Sequence, residues 1–185
     1  MSEIKVNNIQ SLSGTNGPVI SGTVEMDSTG AMSLPRGDTT YRGGRGRGVF
    51  GGGRTSPAGL RDTVDYFTIA TLGNAIDFGN LTTSTSEFGG CASSTRGIFM
   101  GGETFPTNIN VIQYITISAT GNTFDFGDLT LARRGTSCLS DNTRGICTGG
   151  SIAPTLTNFD TIDYVTIATT GNASDFGSLV SKNIY

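Results

Sequence analysis

Four arginines and seven glycines crowd residues 40–54, the run Thr-Tyr-Arg-Gly-Gly-Arg-Gly-Arg-Gly-Val-Phe-Gly-Gly-Gly-Arg. Such a run has two possible chemistries. An arginine-glycine arm grips RNA through its cations, and Gly46, Gly48 and Gly51 satisfy G-x-G-x-x-G, whose backbone amides cradle a pyrophosphate. The cradle needs a strand before it and a helix after it. The next residues are Arg54-Thr55-Ser56-Pro57-Ala58-Gly59, which make no helix start, so the cradle is set aside. Arg42 and Arg45 keep the RNA-arm alternative open.

Three Asp-Phe-Gly triplets, at Asp77, Asp125 and Asp175, look like the magnesium-binding kinase motif. No V-A-I-K lysine or H-R-D loop accompanies them, and a triplet recurring at fixed spacing reads as a turn entering a strand. Glu87, Glu103, Asp125, Asp128 and Asp141 contain enough carboxylates for a glycosidase pair, but nothing in their spacing selects two of them. The turn aspartates show no D-x-D-x-D-G calcium pattern. The chain has no histidine, which removes the commonest base and zinc ligand. Cys91, Cys138 and Cys147 are odd in number and not spaced as C-x-x-C, so they read as buried free thiols. No catalytic residue, metal ligand or cofactor is assigned.

The composition points the same way. Of 185 residues, 28 are glycine and only Lys5 and Lys182 are lysine. Helix-filling Leu, Met, Glu, Lys and Gln are scarce, whereas short strands joined by tight turns suit this mixture. Net charge is -3 with a pI near 4.8; a nucleic-acid binder is usually basic over its binding face, so no nucleic-acid partner is expected. No apolar run approaches the ~18 residues of a spanning helix, and Met1 to Gln10 lack the pattern of a secretory leader. Neither membrane insertion nor secretion is expected, and the sequons at Asn80 and Asn172 read as turn residues.

The decisive feature is internal. Arg47-Gly48-Val49-Phe50 returns as Arg96-Gly97-Ile98-Phe99 and as Arg144-Gly145-Ile146-Cys147, each time running into a double glycine. A second block keeps pace: Asp65-Tyr66-Phe67-Thr68-Ile69, Gln113-Tyr114-Ile115-Thr116-Ile117 and Asp163-Tyr164-Val165-Thr166-Ile167. Each is followed by Gly-Asn and then Asp-Phe-Gly, with a period of 48 to 50 residues. Periods in this range mark solenoids, propellers or arrays. The glycine-arginine run is therefore the entry to a strand. Four strands per unit are predicted; in the second they cover 87–93, 96–100, 113–118 and 123–126. Alternation puts Tyr114, Thr116 and Ser118 on one face and Ile115 and Ile117 on the other. Arg47, Arg96 and Arg144 are expected to be structural, pairing with Asp65 and Asp163 or with Asp77, Asp125 and Asp175, or capping carbonyls within their own unit.

An apolar run ending in a double glycine, then a tyrosine, then an aromatic residue a dozen positions later resembles the kelch repeat. The resemblance implies four-stranded blades of an all-β propeller. It departs from the pattern at Phe78, Phe126 and Phe176, where kelch repeats carry tryptophan. The units are more similar still to kelch-like structural proteins of marine phages, cyanophages above all. Their wording is matched by Ser94-Thr95-Arg96-Gly97-Ile98-Phe99-Met100-Gly101-Gly102 and by the stretch from Thr161 to Leu179. Met1 to Ile9 resemble the start of phage tail-fibre and appendage proteins. The implied organisation is an attachment arm over 1–36, carrying Ile4, Val6 and Ile9, then three repeats at about 37–80, 81–128 and 129–179, and a C-terminal strand over 180–185.

The implied function is a virion structural protein, a tail fibre or tail appendage component acting in assembly and host recognition. A capsid decoration or head-fibre protein is the alternative; a carbohydrate-acting enzyme is a more distant one. The implied partners are other virion proteins, copies of the chain itself and a host glycan or receptor. Three units fall short of the four to eight blades of a closed ring, so oligomerisation is expected to complete it. The stretches that differ most between units are 54–63, 103–112 and 151–161. Recognition residues concentrate in such loops, which nominates Phe105, Asn108, Asn110, Asn158 and Phe159 as glycan or partner contacts.

Overall fold

The computed structural model describes residues 46–56, 59–155 and 157–182. The attachment arm with Ile4, Val6 and Ile9, the arginines Arg42 and Arg45, and residues 183–185 of the expected last strand lie outside that set. The described residues are all-β, without a helix.

Three antiparallel meanders succeed one another along the chain. The first comprises β1 (Arg47–Gly51), β4 (Thr63–Thr68) and β5 (Ile76–Asn80) in the order β1-β4-β5. The second comprises β6 (Gly89–Ala92), β7 (Arg96–Met100), β8 (Val111–Thr116) and β9 (Phe124–Asp128), paired in sequence order. The third repeats this with β10 (Ser137–Ser140), β11 (Arg144–Thr148), β14 (Thr161–Thr166) and β15 (Ser174–Ser178). Two-residue hairpins interrupt the first and third meanders: β2 (Arg54–Thr55) pairs with β3 (Gly59–Leu60), and β12 (Ser151–Ile152) with β13 (Thr157–Asn158). Registers correspond: Arg47 opposes Thr68, Arg96 opposes Thr116 and Arg144 opposes Thr166. All three meanders also slip register at the same place, after Val64, Ile112 and Ile162.

The strands differ from expectation in ways that local chemistry explains. The first strand of the second meander is trimmed to Gly89–Ala92, because Glu87 sits at φ 57° and turns the chain before it. The third begins at Val111 and ends at Thr116, where Thr116 O accepts the Ala119 amide in a turn. The Asp-Phe-Gly triplets lie inside β5, β9 and β15, not at turns leading into them. In the first meander, the position matching β6 falls at about 40–43, outside the described residues. Val180 to Lys182 carry no strand.

A sheet this small has little core of its own, and both faces of the second one are covered. Its Ile115 and Ile117 pack with Val64, Phe78 and Leu81 of the first. Its Ile98, Met100, Ile112 and Phe126 pack with Cys147, Val165 and Ile167 of the third. The alternation expected over 113–118 is present: Ile115 and Ile117 face one neighbour and Tyr114 packs against the other.

The seams are hydrogen-bonded as well. The Gly121 amide donates to Phe78 O, and the Gly171 amide to Phe126 O, both at 2.7 Å. So close an approach of two backbones explains one recurrent glycine. A Cβ on Gly79 or Gly127 would overlap the carbonyl of Gly121 or Gly171, and their φ values of 149° and 143° already disfavour other residues. Gly127→Ala should therefore destabilise the chain by about 3 kcal/mol in urea unfolding, since backbone cannot yield to the added carbon. Gly53→Ala is the control: φ is 100° but no atom lies within 4 Å of the added carbon. Equal losses for the two variants would contradict the close-approach account.

Candidate functional site

The loops after each double glycine are the most chemically distinctive surface of the described residues. At the position just after it stand Arg54, Glu103 and Ser151. Glu103 is completely buried, and its two carboxylate oxygens accept from Arg54 Nη2 and Arg134 Nη1. Arg134 also reaches Glu87 Oε1 at 3.5 Å, and its backbone and that of Ser151 exchange hydrogen bonds. One carboxylate thus ties the loop after β1 to the segment leading into β10. A buried carboxylate is tolerable only with both partners, and removing one leaves an uncompensated charge.

Beside this tie lies an open depression of about 510 Å³, lined by Arg54, Thr55, Ser56, Gly59, Leu60 and Phe105. The Phe105 ring is largely exposed, and the Arg54 guanidinium stands 5.3 Å from its centroid. The guanidinium and the exposed ring make a cation–π contact at the rim of the depression. Asn108 and Asn158 do not join it: each buries its Oδ1 without a hydrogen-bond partner among the described residues. Asn110 and Phe159 are half-buried and serve the loops through their backbone, Asn110 O accepting from Leu129 and Phe159 N donating to Gly150 O. Of the five nominated residues, only Phe105 stands on the depression.

The recurrent arginines have a role that their spacing does not specify. Arg47 Nη1 donates to Ile117 O at 2.6 Å, and Arg96 Nη1 to Ile167 O at 2.9 Å. Each guanidinium also lies over the tyrosine of its own sheet, Arg47 on Tyr66 at 4.5 Å and Arg96 on Tyr114 at 4.7 Å. The expected pairing with aspartates is not found among the described residues, and the carbonyls capped belong to the following sheet. The reason is geometric: a guanidinium stacked on the third strand points across the seam. Asp77, Asp125 and Asp175 are exposed, and Asp175 Oδ1 accepts the Gly177 amide.

Asp163 is taken by others. It accepts from Thr130 N and Oγ1 and pairs with the fully buried Arg133 at 3.2 Å. In the seam before it, Gln113 plays the same part, accepting from Thr82 N and Oγ1 at 2.8 Å. Sequence reasoning misses Arg133 and Arg134. Their only signal is a double arginine that the other units lack.

The three cysteines are free and gather where the second and third sheets meet. Cys138 and Cys147 oppose each other on β10 and β11. Their mutual hydrogen bond, more than burial, pushes the Cys138 thiol up, and the same bond brings Cys147 down to about 7. Burial first, and then the neighbouring Cys147, pushes Cys91 up to about 12. Cys147 has no exposed surface, so its acidity is not matched by access to a reagent.

No protein-family model matches the chain, and no curated protein does.

This geometry has two measurable outcomes. Arg96→Ala should lower stability by about 2 kcal/mol, the combined loss of a charge-assisted hydrogen bond and a cation–π contact; an unchanged melting temperature would remove the arginine from the seam. Asp141, on the turn before β11, accepts from the Thr143 and Arg144 amides at 2.6 Å, and these bonds hold its carboxyl below the ordinary 3.8. A depressed folded pKa stabilises above the unfolded value and loses that stabilisation as pH falls through the folded one. Asp141→Asn should therefore melt below wild type at neutral pH and match it at acid pH well under 3.8. A gap that persists there would assign the effect to something other than the charge.

Proposed function

We propose that this chain is a non-enzymatic structural component of a phage virion, part of a tail fibre or tail appendage. On this reading its three small sheets are kelch-like propeller blades, and the ring is completed by further copies. The observation that carries the reading is that, among the described residues, the row of sheets ends at both sides in an exposed apolar face. Phe50 and Ile69 on the first sheet and Leu139 and Phe176 on the third are each more than half exposed. Monomeric domains seldom leave such faces bare, whereas a particle component is built to be covered by neighbours.

The carboxylates support a structural rather than a catalytic role. Glu103 and Asp163, the buried ones among the described residues, are each held by arginine. The Arg54–Phe105 contact is where a host glycan or a neighbouring virion protein would be engaged. The glycines of the first two Asp-Phe-Gly triplets serve close packing against the next sheet. The repeats resemble phage structural proteins, which supplies the virion assignment. A capsid decoration or head-fibre protein is the second reading.

The test is mass spectrometry of purified particles separated into heads and tails. The chain is expected in the tail fraction at several copies per particle. Recovery with heads would favour the decoration reading, and absence from both fractions would refute the structural role.

A further inference from the structure

We propose that a second copy of this chain docks head-to-tail, the open face of the third sheet seating on the open face of the partner's first sheet. Two such seams would close a ring of two chains. The inference rests on the propeller reading above and adds the surfaces, the polarity and the atoms.

The two seams inside the chain supply the template. In each, a Gly-Asn turn of the later sheet lies on the outer strand of the earlier one. The glycine amide donates to a phenylalanine carbonyl, Gly121 to Phe78 and Gly171 to Phe126. The asparagine accepts a backbone amide, Asn122 Oδ1 from Asn80 at 3.0 Å and Asn172 Oδ1 from Asp128 at 3.1 Å. The arginine of the earlier sheet caps an isoleucine carbonyl of the later one, as Arg47 does Ile117 and Arg96 does Ile167.

Continuing by one period leaves every group of a third seam present but unmatched among the described residues. The earlier-sheet side is Phe176 O, the Ser178 amide and Arg144; the later-sheet side is the Gly73 amide, Asn74 Oδ1 and Ile69 O. Gly177 keeps the φ of 139° that Gly79 and Gly127 share, yet no atom lies within 4 Å of the site where a Cβ would stand. Arg144 is exposed and stacks on Tyr164 at 5.4 Å, like its counterparts. Its guanidinium finds no carbonyl to cap among the described residues.

The apolar faces match in the same way. Phe126 is 2% exposed where its seam is filled, and Phe176, one period on, is 54% exposed. Ile117 and Ile167 are 7% and 1% exposed, and Ile69, one period back, is 66% exposed. The two open faces are different surfaces, so the contact is heterologous. Such contacts give a ring if the rotation closes and a filament if it does not. Two chains place six sheets, inside the range of closed propellers.

The test is sedimentation equilibrium of the full chain at tens of micromolar. Wild type is expected at twice the 19.2 kDa chain mass. Phe50→Glu and Phe176→Lys alter opposite faces; each alone should run as a monomer, because both seams of its own dimer carry the change. Mixing them should restore the dimer, with one unaltered seam and one in which opposite charges meet. Arg144→Ala should weaken the dimer about a hundredfold, the loss of one charge-assisted hydrogen bond in each of its two seams, with an unchanged circular dichroism spectrum. A monomeric wild type would overturn the proposal and assign the faces to another protein or to other parts of the chain. A dimer abolished by Phe176→Lys but untouched by Phe50→Glu would overturn it in favour of a two-fold, like-on-like contact. Particle localisation is independent of these outcomes: a monomer found in tails refutes the seam alone, and a dimer absent from particles refutes the virion role alone.

Discussion

The structure depends on the seam between successive sheets. A meander of four short strands cannot exclude water from its two faces, and most of its buried side chains are buried by the next sheet along. The seam combines non-directional and directional parts. Burial of Ile, Val, Met and Phe supplies the driving force, and a backbone-to-backbone approach fixes the register. That approach requires glycine at 79 and 127, because any Cβ would occupy the place of a neighbouring carbonyl. Hydrogen bonds between the Gly-Asn turn and the outer strand then leave one sliding position in place of many.

Gln113 and Asp163 in the seams meet the rule that burial demands partners, whereas Arg133 Nε and Nη1 are buried without one among the described residues. Gln113 and Asp163 occupy equivalent positions and both accept from a threonine of the preceding linker. Where the side chain is an amide, threonines suffice. Where it is a carboxylate, the buried Arg133 is added. The tie of Glu103 to Arg54 and Arg134 works at longer range, spanning segments of all three units. Such substitutions let the three sheets differ in charge while keeping matching strand registers.

Much of this is legible in the sequence, and the reason is locality. The Arg-Gly-Ile-Phe run, the double glycine, the tyrosine strand and the Gly-Asn turn each encode their own backbone conformation, and the period alone aligns them. What spacing does not encode is the identity of distant partners. Recurrence marks Arg96 as a structural residue, but its acceptor lies 71 residues away on the next sheet, and no local pattern distinguishes a carbonyl there from an aspartate nearby. Asp-Phe-Gly has the residue types of a turn, yet its glycine serves a neighbour's backbone rather than its own bend. Asn108 and Asn158 look like surface contacts by residue type, and burial of their Oδ1 atoms depends on packing that the loop sequence does not reveal.

If the seams carry the fold, the amides that cross them must open only when the sheets separate. Native-state hydrogen exchange of the Gly121, Thr123, Gly171 and Ala173 amides measures this directly, since each donates to the preceding sheet. Protection equal to that of the central strand amides of β7 and β11 is the predicted result. Rapid exchange at these four positions, with the strand amides still protected, would mean that the sheets are stable one by one and would contradict the account.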